Sequence, residues 1–237
     1  MDVRREEDRE GYMLAQKYPE LLDGIMAGAP ALNVIPISVG GFWPQLVIRD
    51  ADTYISNCEW AYFTKKTMEK CDMLDGFEDG MLMDPDDCRF DAISLIGENF
   101  DCDGQEVTVT ASMAEVVRMI REGLCTPLGA EIWYGLTPST NHATLANITI
   151  SPDGVRSQYP VAEILLGSLV LPPSFDVSTI TSTNYFALWA KTAVEWAWTV
   201  ATDSPDLTAL RNADTRLLTW HGIDNDIIPH QSTLGYC

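Results

Sequence analysis

The chain has 237 residues and a formal net charge of −20, and that length suffices to bury a substantial core. So acidic a surface repels polyanions, which excludes nucleic acid and anionic membrane as partners and leaves small molecules, metal ions and polysaccharide matrices. With 46% hydrophobic residues and a mean hydropathy near zero, the composition is that of a globular protein, and no apolar run reaches membrane-spanning length.

Residues 1–10, M-D-V-R-R-E-E-D-R-E, are a charge run with no apolar face and nothing resembling a secretory leader. Gly11 to Tyr18 is a run of good helix formers stopped by Pro19, and Ile25 to Ala29 follows as a short buried strand ended by Pro30. Helix then strand is one step of an α/β unit. A strand of this kind normally lies inside a parallel sheet with both faces covered, so without strands beside it an edge and much apolar surface would be exposed. Ile35 to Leu46, I-P-I-S-V-G-G-F-W-P-Q-L, is punctuated by proline and glycine and reads as a linker leaving the core. Residues 58–70 form a helix.

The helix delivers the chain to the most unusual stretch, Cys71 to Cys88, C-D-M-L-D-G-F-E-D-G-M-L-M-D-P-D-D-C. Asp72, Asp75 and Asp79 fall within eight residues around a glycine, with Glu78 beside them and Asp84, Asp86 and Asp87 beyond. Carboxylates this dense repel one another unless water or a cation separates them. A solvated acidic turn satisfies that, and so does a hard divalent ion such as calcium, which takes roughly six to eight oxygens. The spacing D-x-x-D-G-x-x-D is not that of an EF-hand.

Ala111 to Gly123 carries Met113, Val116, Val117 and Ile120 at helical spacing, a core stripe, with Gly123 as its stop. Glu131 to Thr140, E-I-W-Y-G-L-T-P-S-T, reads as an aromatic strand and turn. Asn147-Ile148-Thr149 is a glycosylation sequon, meaningful only in the secretory pathway. Pro172 to Ser178 opens a turn, and Tyr185 to Val200 is an apolar, tryptophan-rich helix suited to core packing or to lining an aromatic pocket. Arg216 to Pro229, R-L-L-T-W-H-G-I-D-N-D-I-I-P, is an apolar strand ending in a loop. The six cysteines, at 58, 71, 88, 102, 125 and 237, lack the paired C-x-x-C spacing of a zinc site, so disulfides in an oxidising compartment are expected.

Four blocks together resemble the fungal tannase and feruloyl esterase family, secreted serine esterases of the α/β-hydrolase type. They are G-Y-M-L-A-Q-K-Y-P-E-L-L-D-G-I-M-A-G-A-P-A, C-D-x-L-D-G-x-x-D-G, the W-Y-G-L-x-P segment with Ser139 where glycine is usual, and L-L-T-W-H-G-x-x-D-x-x-I-P. The resemblance implies an α/β fold: part of an α/β-hydrolase core with a large inserted lid domain. Residues 1–35 would be core, 36–205 lid with a calcium loop at 71–88, and 206–237 the return to core. In the family, Asp72, Asp75, the carbonyl of Phe77, Asp79 and the carbonyl of Met81 would hold calcium, with Cys71 bridged to Cys88. The partners of Cys58, Cys102, Cys125 and Cys237 stay open.

The same resemblance locates the catalytic positions. The family's nucleophile elbow, G-C-S-x-G-G-R-Q-G, should precede Gly11. Without gaps its Cys and Ser fall on Arg4 and Arg5, its Gly pair on Glu7 and Asp8, and its Arg and Gln on Arg9 and Glu10. Glycines allow the strained turn that lifts the Ser above the sheet, and glutamate and aspartate do not. The triad acid, which orients the catalytic His and stabilises its charge, is replaced by Asn225, with Asp224 and Asp226 as flanking substitutes. The family His lies past the position of Cys237, which points to a chain truncated at both ends. His142, His221 and His230 are expected to be hydrogen-bonded structural histidines. The implied activity is hydrolysis of small-molecule aromatic or plant polysaccharide esters through an acyl-serine. The sequence as given is expected to be inactive, a non-catalytic calcium-binding lid module or an incomplete gene product being the alternatives.

Overall fold

The computed structural model describes residues 4–126, 128–140, 142–146, 148–150, 156–158, 167, 170–172, 174–196 and 202–236. Helix α1 (Arg4–Lys17) leads to strand β1 (Gly24–Gly28) and helices α2 (Val34–Gly40), α3 (Trp43–Asp50) and α4 (Asn57–Cys71). Then come the antiparallel pair β2 (Asn99–Cys102) and β3 (Gln105–Thr108), helix α5 (Ala111–Glu122), and the pair β4 (Leu124–Cys125) and β5 (Glu131–Trp133). The single turn α6 (Ala143–Ala146), the pair β6 (Ile148–Ile150) and β7 (Arg156–Gln158), helices α7 (Ser182–Trp196) and α8 (Thr208–Asn212), strand β8 (Arg216–Trp220) and the turn α9 (Gln231–Leu234) complete a mixed α/β chain. Among the described residues no helix is long and apolar enough to cross a membrane.

The two ends of the chain meet in one parallel pair, β1 with β8, in register from Gly24 opposite Arg216 to Gly28 opposite Trp220. Side chains alternate across a strand, and here the alternation separates two environments. Ile25 and Ala27 are buried, Ile25 grouped with Ala15 of α1 and Leu210, and Ala27 with Tyr12 and Leu32. On the opposite face Met26, Leu218 and Trp220 are 68%, 59% and 53% exposed. One face of the pair is therefore covered, by α1 together with Leu32 and Leu210, and the apolar exposure expected on the other face is present among the described residues.

Two expectations change. Helix α1 begins at Arg4, not Gly11, because Arg and Glu are good helix formers and extend it through the charge run. The Ile35–Leu46 stretch is not a linker but the helices α2 and α3. Its prolines, Pro36 and Pro44, sit in the first turns, where an N–H would lack an intrahelical acceptor anyway. The division expected between residues 35 and 36 consequently falls inside α2.

Helix α3 joins the two main cores. Leu46 packs with Val39, Phe42, Leu124, Trp133 and Tyr185, whereas Val47 and Ile48 pack with Trp60, Phe63, Val116, Val117 and Ile120. The amide of Gln45, fully buried, donates to the Leu145 carbonyl at 2.5 Å, and the Trp43 indole donates to the Met119 carbonyl at 3.2 Å. The α5 stripe is core as expected, and Gly123, at φ +83°, ends the helix. Helix α7 is also a core element: Tyr185 is buried and donates to the Val39 carbonyl, and Trp189 packs 5.9 Å from Trp133. Residues 197–200 of the expected helix, and Asn147 of the sequon, lie outside the described residues.

Candidate functional site

Helix α4 is started by a reciprocal cap. Ser56 accepts from the Glu59 amide at 3.3 Å while Glu59 accepts from the Ser56 amide at 2.6 Å, which satisfies two otherwise orphaned donors. Its last residue, Cys71, is bonded to Cys88, with Cα atoms 5.6 Å apart. Cys58, near its start, is bonded to Cys102 of β2. The bridge that the resemblance implied is formed, and a second one is added that the sequence left unassigned. Cys125 is free, and Cys237 lies outside the described residues.

Between the bridged cysteines the chain makes a 3-10 turn, Asp72–Asp75, closed by Gly76 at φ +92°, and turns again at Gly80 at φ +74°. Both glycines occupy the left-handed region that other residues avoid. Each aspartate is turned onto a main-chain amide. Asp75 accepts from Phe77 N at 2.9 Å, Asp79 from Met81 N at 3.0 Å, and Asp72 reaches across the loop to Gly80 N at 3.0 and 3.2 Å. Leu82 and Pro85 are buried and anchor the returning half of the loop, while Met73, Leu74, Phe77, Met81 and Met83 are exposed.

All three aspartates and the Phe77 and Met81 positions thus share one exposed, crosslinked loop of hard oxygen donors, the chemistry that calcium selects. The carboxylates are held apart rather than together. Among the described residues, the one cluster of three His, Cys, Asp or Glu ligand atoms within 4.8 Å of one another is Cys58, Cys102 and Asp103, and its sulfurs are already joined.

The second candidate region follows β8. Asn225 accepts through its amide oxygen from Ile227 N at 3.1 Å and Ile228 N at 2.9 Å, capping its own loop. Asp224 accepts from the Ser139 hydroxyl, and its main-chain carbonyl from Thr140 Oγ1 at 3.0 Å. Asp226 accepts from the Thr144 hydroxyl. The three neighbours therefore diverge: the amide serves the loop, and the two carboxylates grip residues 139–144. The Ser139 contact is one that glycine would not make. Nothing local in the sequence announces it, since its partners are 85 residues apart.

His221 bridges Thr233 Oγ1 at 2.7 Å and the Ile228 carbonyl at 3.0 Å, the structural role expected of it. His142 is buried, stacked on Trp60 at 4.7 Å and hydrogen-bonded to the Thr140 carbonyl at 2.9 Å. Burial, with the nearby Arg121 charge, holds its pKa well below the usual imidazole range, so it is neutral. His230 departs from expectation: it is buried, and its Nδ1 has no hydrogen-bond partner among the described residues. The side chains of Arg4, Arg5 and Glu7 lie outside the described residues, and their backbone is helical.

The model of the family described as tannase and feruloyl esterase matches residues 6–237. A probable feruloyl esterase of Arthroderma benhamiae is 33% identical over 96% of this chain and 43% of its own length, and feruloyl esterase C of Talaromyces stipitatus is 24% identical over 96% and 42%. Tannin acyl hydrolase from Aspergillus niger superposes with a TM-score of 0.86 at 23% identity, covering 97% of this chain and 44% of that one, which shows a shared fold. The chain spans less than half the length of the curated relatives it matches. It belongs to the tannase and feruloyl esterase family.

Proposed function

We propose that the chain is the calcium-bearing part of a carboxylic ester hydrolase acting on esters of aromatic acids such as ferulate or gallate, and that these 237 residues do not by themselves turn ester over. The observation that carries the reading is the family match over residues 6–237. In the whole enzyme an acyl-serine would form and be hydrolysed, with residues 36–205 acting as a lid. Two disulfides favour a secreted protein. The inactivity rests on two positions inside the chain. Arg5 stands at the place of the nucleophile in a helical segment, and Asn225, at that of the acid, has its oxygen engaged by two backbone amides. An uncharged amide in that role costs about 10⁴-fold in turnover in a protease triad. Purified chain assayed on methyl ferulate and methyl gallate should release no acid above a buffer blank, and release would overturn the proposal.

Calcium is assigned to Asp72, Asp75, Asp79 and the carbonyls of Phe77 and Met81. Five oxygens on one loop with clamped ends support this. Loading would exchange the amide contacts of Gly80, Phe77 and Met81 for the ion. Calcium should therefore raise the melting temperature and protect residues 71–88 from protease, and Asp75→Asn should abolish both effects. Equal resistance in calcium and in chelator would remove the ion from the assignment.

A second reading, a lid module that binds without cleaving, is favoured by the engagement of Asp224 and Asp226 with Ser139 and Thr144. A serine-directed fluorophosphonate should leave the chain unlabelled under either reading, since Arg5 stands at the nucleophile position, and labelling would overturn both, whereas saturable binding of methyl ferulate without release of acid would favour the module.

A further inference from the structure

A cleft of about 780 Å³ opens between the segment that follows the acidic loop, helix α5 and the exit of β5. Its apolar wall includes Phe90, Tyr134, Leu136 and Pro138, and three arginines, Arg89, Arg118 and Arg121, line it. In a chain of net charge −20, three cations on one cavity are a concentration worth explaining.

Two of them lie one turn apart on α5 and differ sharply. Arg118 is neutralised by Glu115 at 2.5 Å and Glu122 at 2.6 Å. Arg121 has only neutral acceptors: Thr67 Oγ1 at 2.9 Å, the Pro138 carbonyl at 3.3 Å and His142 Nε2 at 3.5 Å. Among the described residues no carboxylate comes within 4.0 Å of it. Burial lowers its pKa to about 10, so the half-buried guanidinium is charged at neutral pH and has no counter-charge in contact, an unfavourable state. The three contacts account for three of its five N–H donors, leaving one on each terminal nitrogen. Phe90 stands 5.9 Å from the guanidinium carbon.

Four acids also line the cleft, and three of them are engaged. Glu122 is on Arg118, Asp91 accepts from Ile93 N at 2.9 Å, and Asp86 accepts from Gln231 Nε2 at 3.4 Å, while Glu131 is exposed. Such a wall repels a polyanion yet leaves room for a single negative charge at Arg121. The geometry points to a ligand site in which Arg121 receives the carboxylate of a small aromatic acid whose ring lies against Phe90 and Tyr134. This site needs neither a nucleophile nor the calcium loop, so it stands whether or not the chain is part of an ester hydrolase.

The test is calorimetric titration of the full chain with ferulate and with its neutral primary amide, which is read without turnover. Ferulate should bind saturably and the amide at least about tenfold more weakly, since a charge-assisted contact is lost. Arg121→Met should weaken ferulate by a similar factor, and Arg121→Lys should keep part of the affinity. Equal binding of acid and amide, no saturable binding of ferulate, or wild-type affinity in Arg121→Met would each overturn the site. Should Arg121→Met fail to fold by circular dichroism, the acid and amide comparison on wild type, with Phe90→Ala expected to weaken ferulate, decides alone.

Discussion

The β1–β8 pair and the segment from Ser56 to Cys125 both have apolar side chains to bury, and they do so by opposite means. The pair draws its strands from the two ends of the chain, has α1 on one face, and leaves Met26, Leu218 and Trp220 in solvent. The segment shares one core: α4 and α5 contribute Trp60, Phe63, Val116, Val117 and Ile120, α3 adds Val47 and Ile48, and two disulfides bind α4 at both ends. The first arrangement depends on contacts between residues about two hundred positions apart, whose closure is entropically costly. The second spans shorter separations, 44 residues for the Cys58–Cys102 bond, and is held by covalent bonds as well as packing. Stability should therefore be concentrated in the crosslinked segment and thin at the sheet.

The sharpest way to break that comparison is to open the crosslinked core. Phe63, fully buried, should cost about 3–5 kcal/mol on replacement by alanine, read as a shift of the urea midpoint. A loss below 1 kcal/mol would mean the segment is not where stability resides. Replacing Cys58 and Cys102 by serine should cost about 2–4 kcal/mol, and a wild-type midpoint would show that the noncovalent contacts suffice. Next comes acidity. The folded pKa of His142 lies below its unfolded value of about 6.5, so the unfolded chain binds the extra proton. Stability is fully present above pH 6.5 and falls as pH drops toward the folded value, by up to about 1.4 kcal/mol per unit. His142→Gln should flatten that slope between pH 6.5 and 5, and an unchanged slope would assign it to other groups. The smallest effect belongs to the sheet: Met26→Thr with Leu218→Thr should change stability by less than about 0.5 kcal/mol while reducing self-association in light scattering. A large loss would show that this face is covered.

The sequence was most legible where one element carried its own pattern. The α5 stripe repeats at helical spacing and closes on Gly123, and the acidic loop is marked by aspartates and glycines within a few positions. It misled where one residue type serves two purposes. Pro36 and Pro44 read as punctuation in the sequence, although proline is equally at home in the first turn of a helix. Charges at Arg4 to Glu10 hid a helix, since formation depends on propensity as well as on an apolar face. Contacts between distant segments left no local trace: the Cys58–Cys102 bond, the Ser139–Asp224 contact and the neutral setting of Arg121 all require the fold. The resemblance implies Asn225 at the acid position, and that amide caps its own loop.

The grip of Asp224 and Asp226 on residues 139–144 has one further implication. The loop after β8 takes its bearing from a turn that belongs to the middle of the chain as well as from His221 at the end of the strand it leaves. Any tilt of that turn would drag the loop along like a trailer on a hitch, so the placement of position 225 is steered from a part of the molecule that never approaches it in sequence.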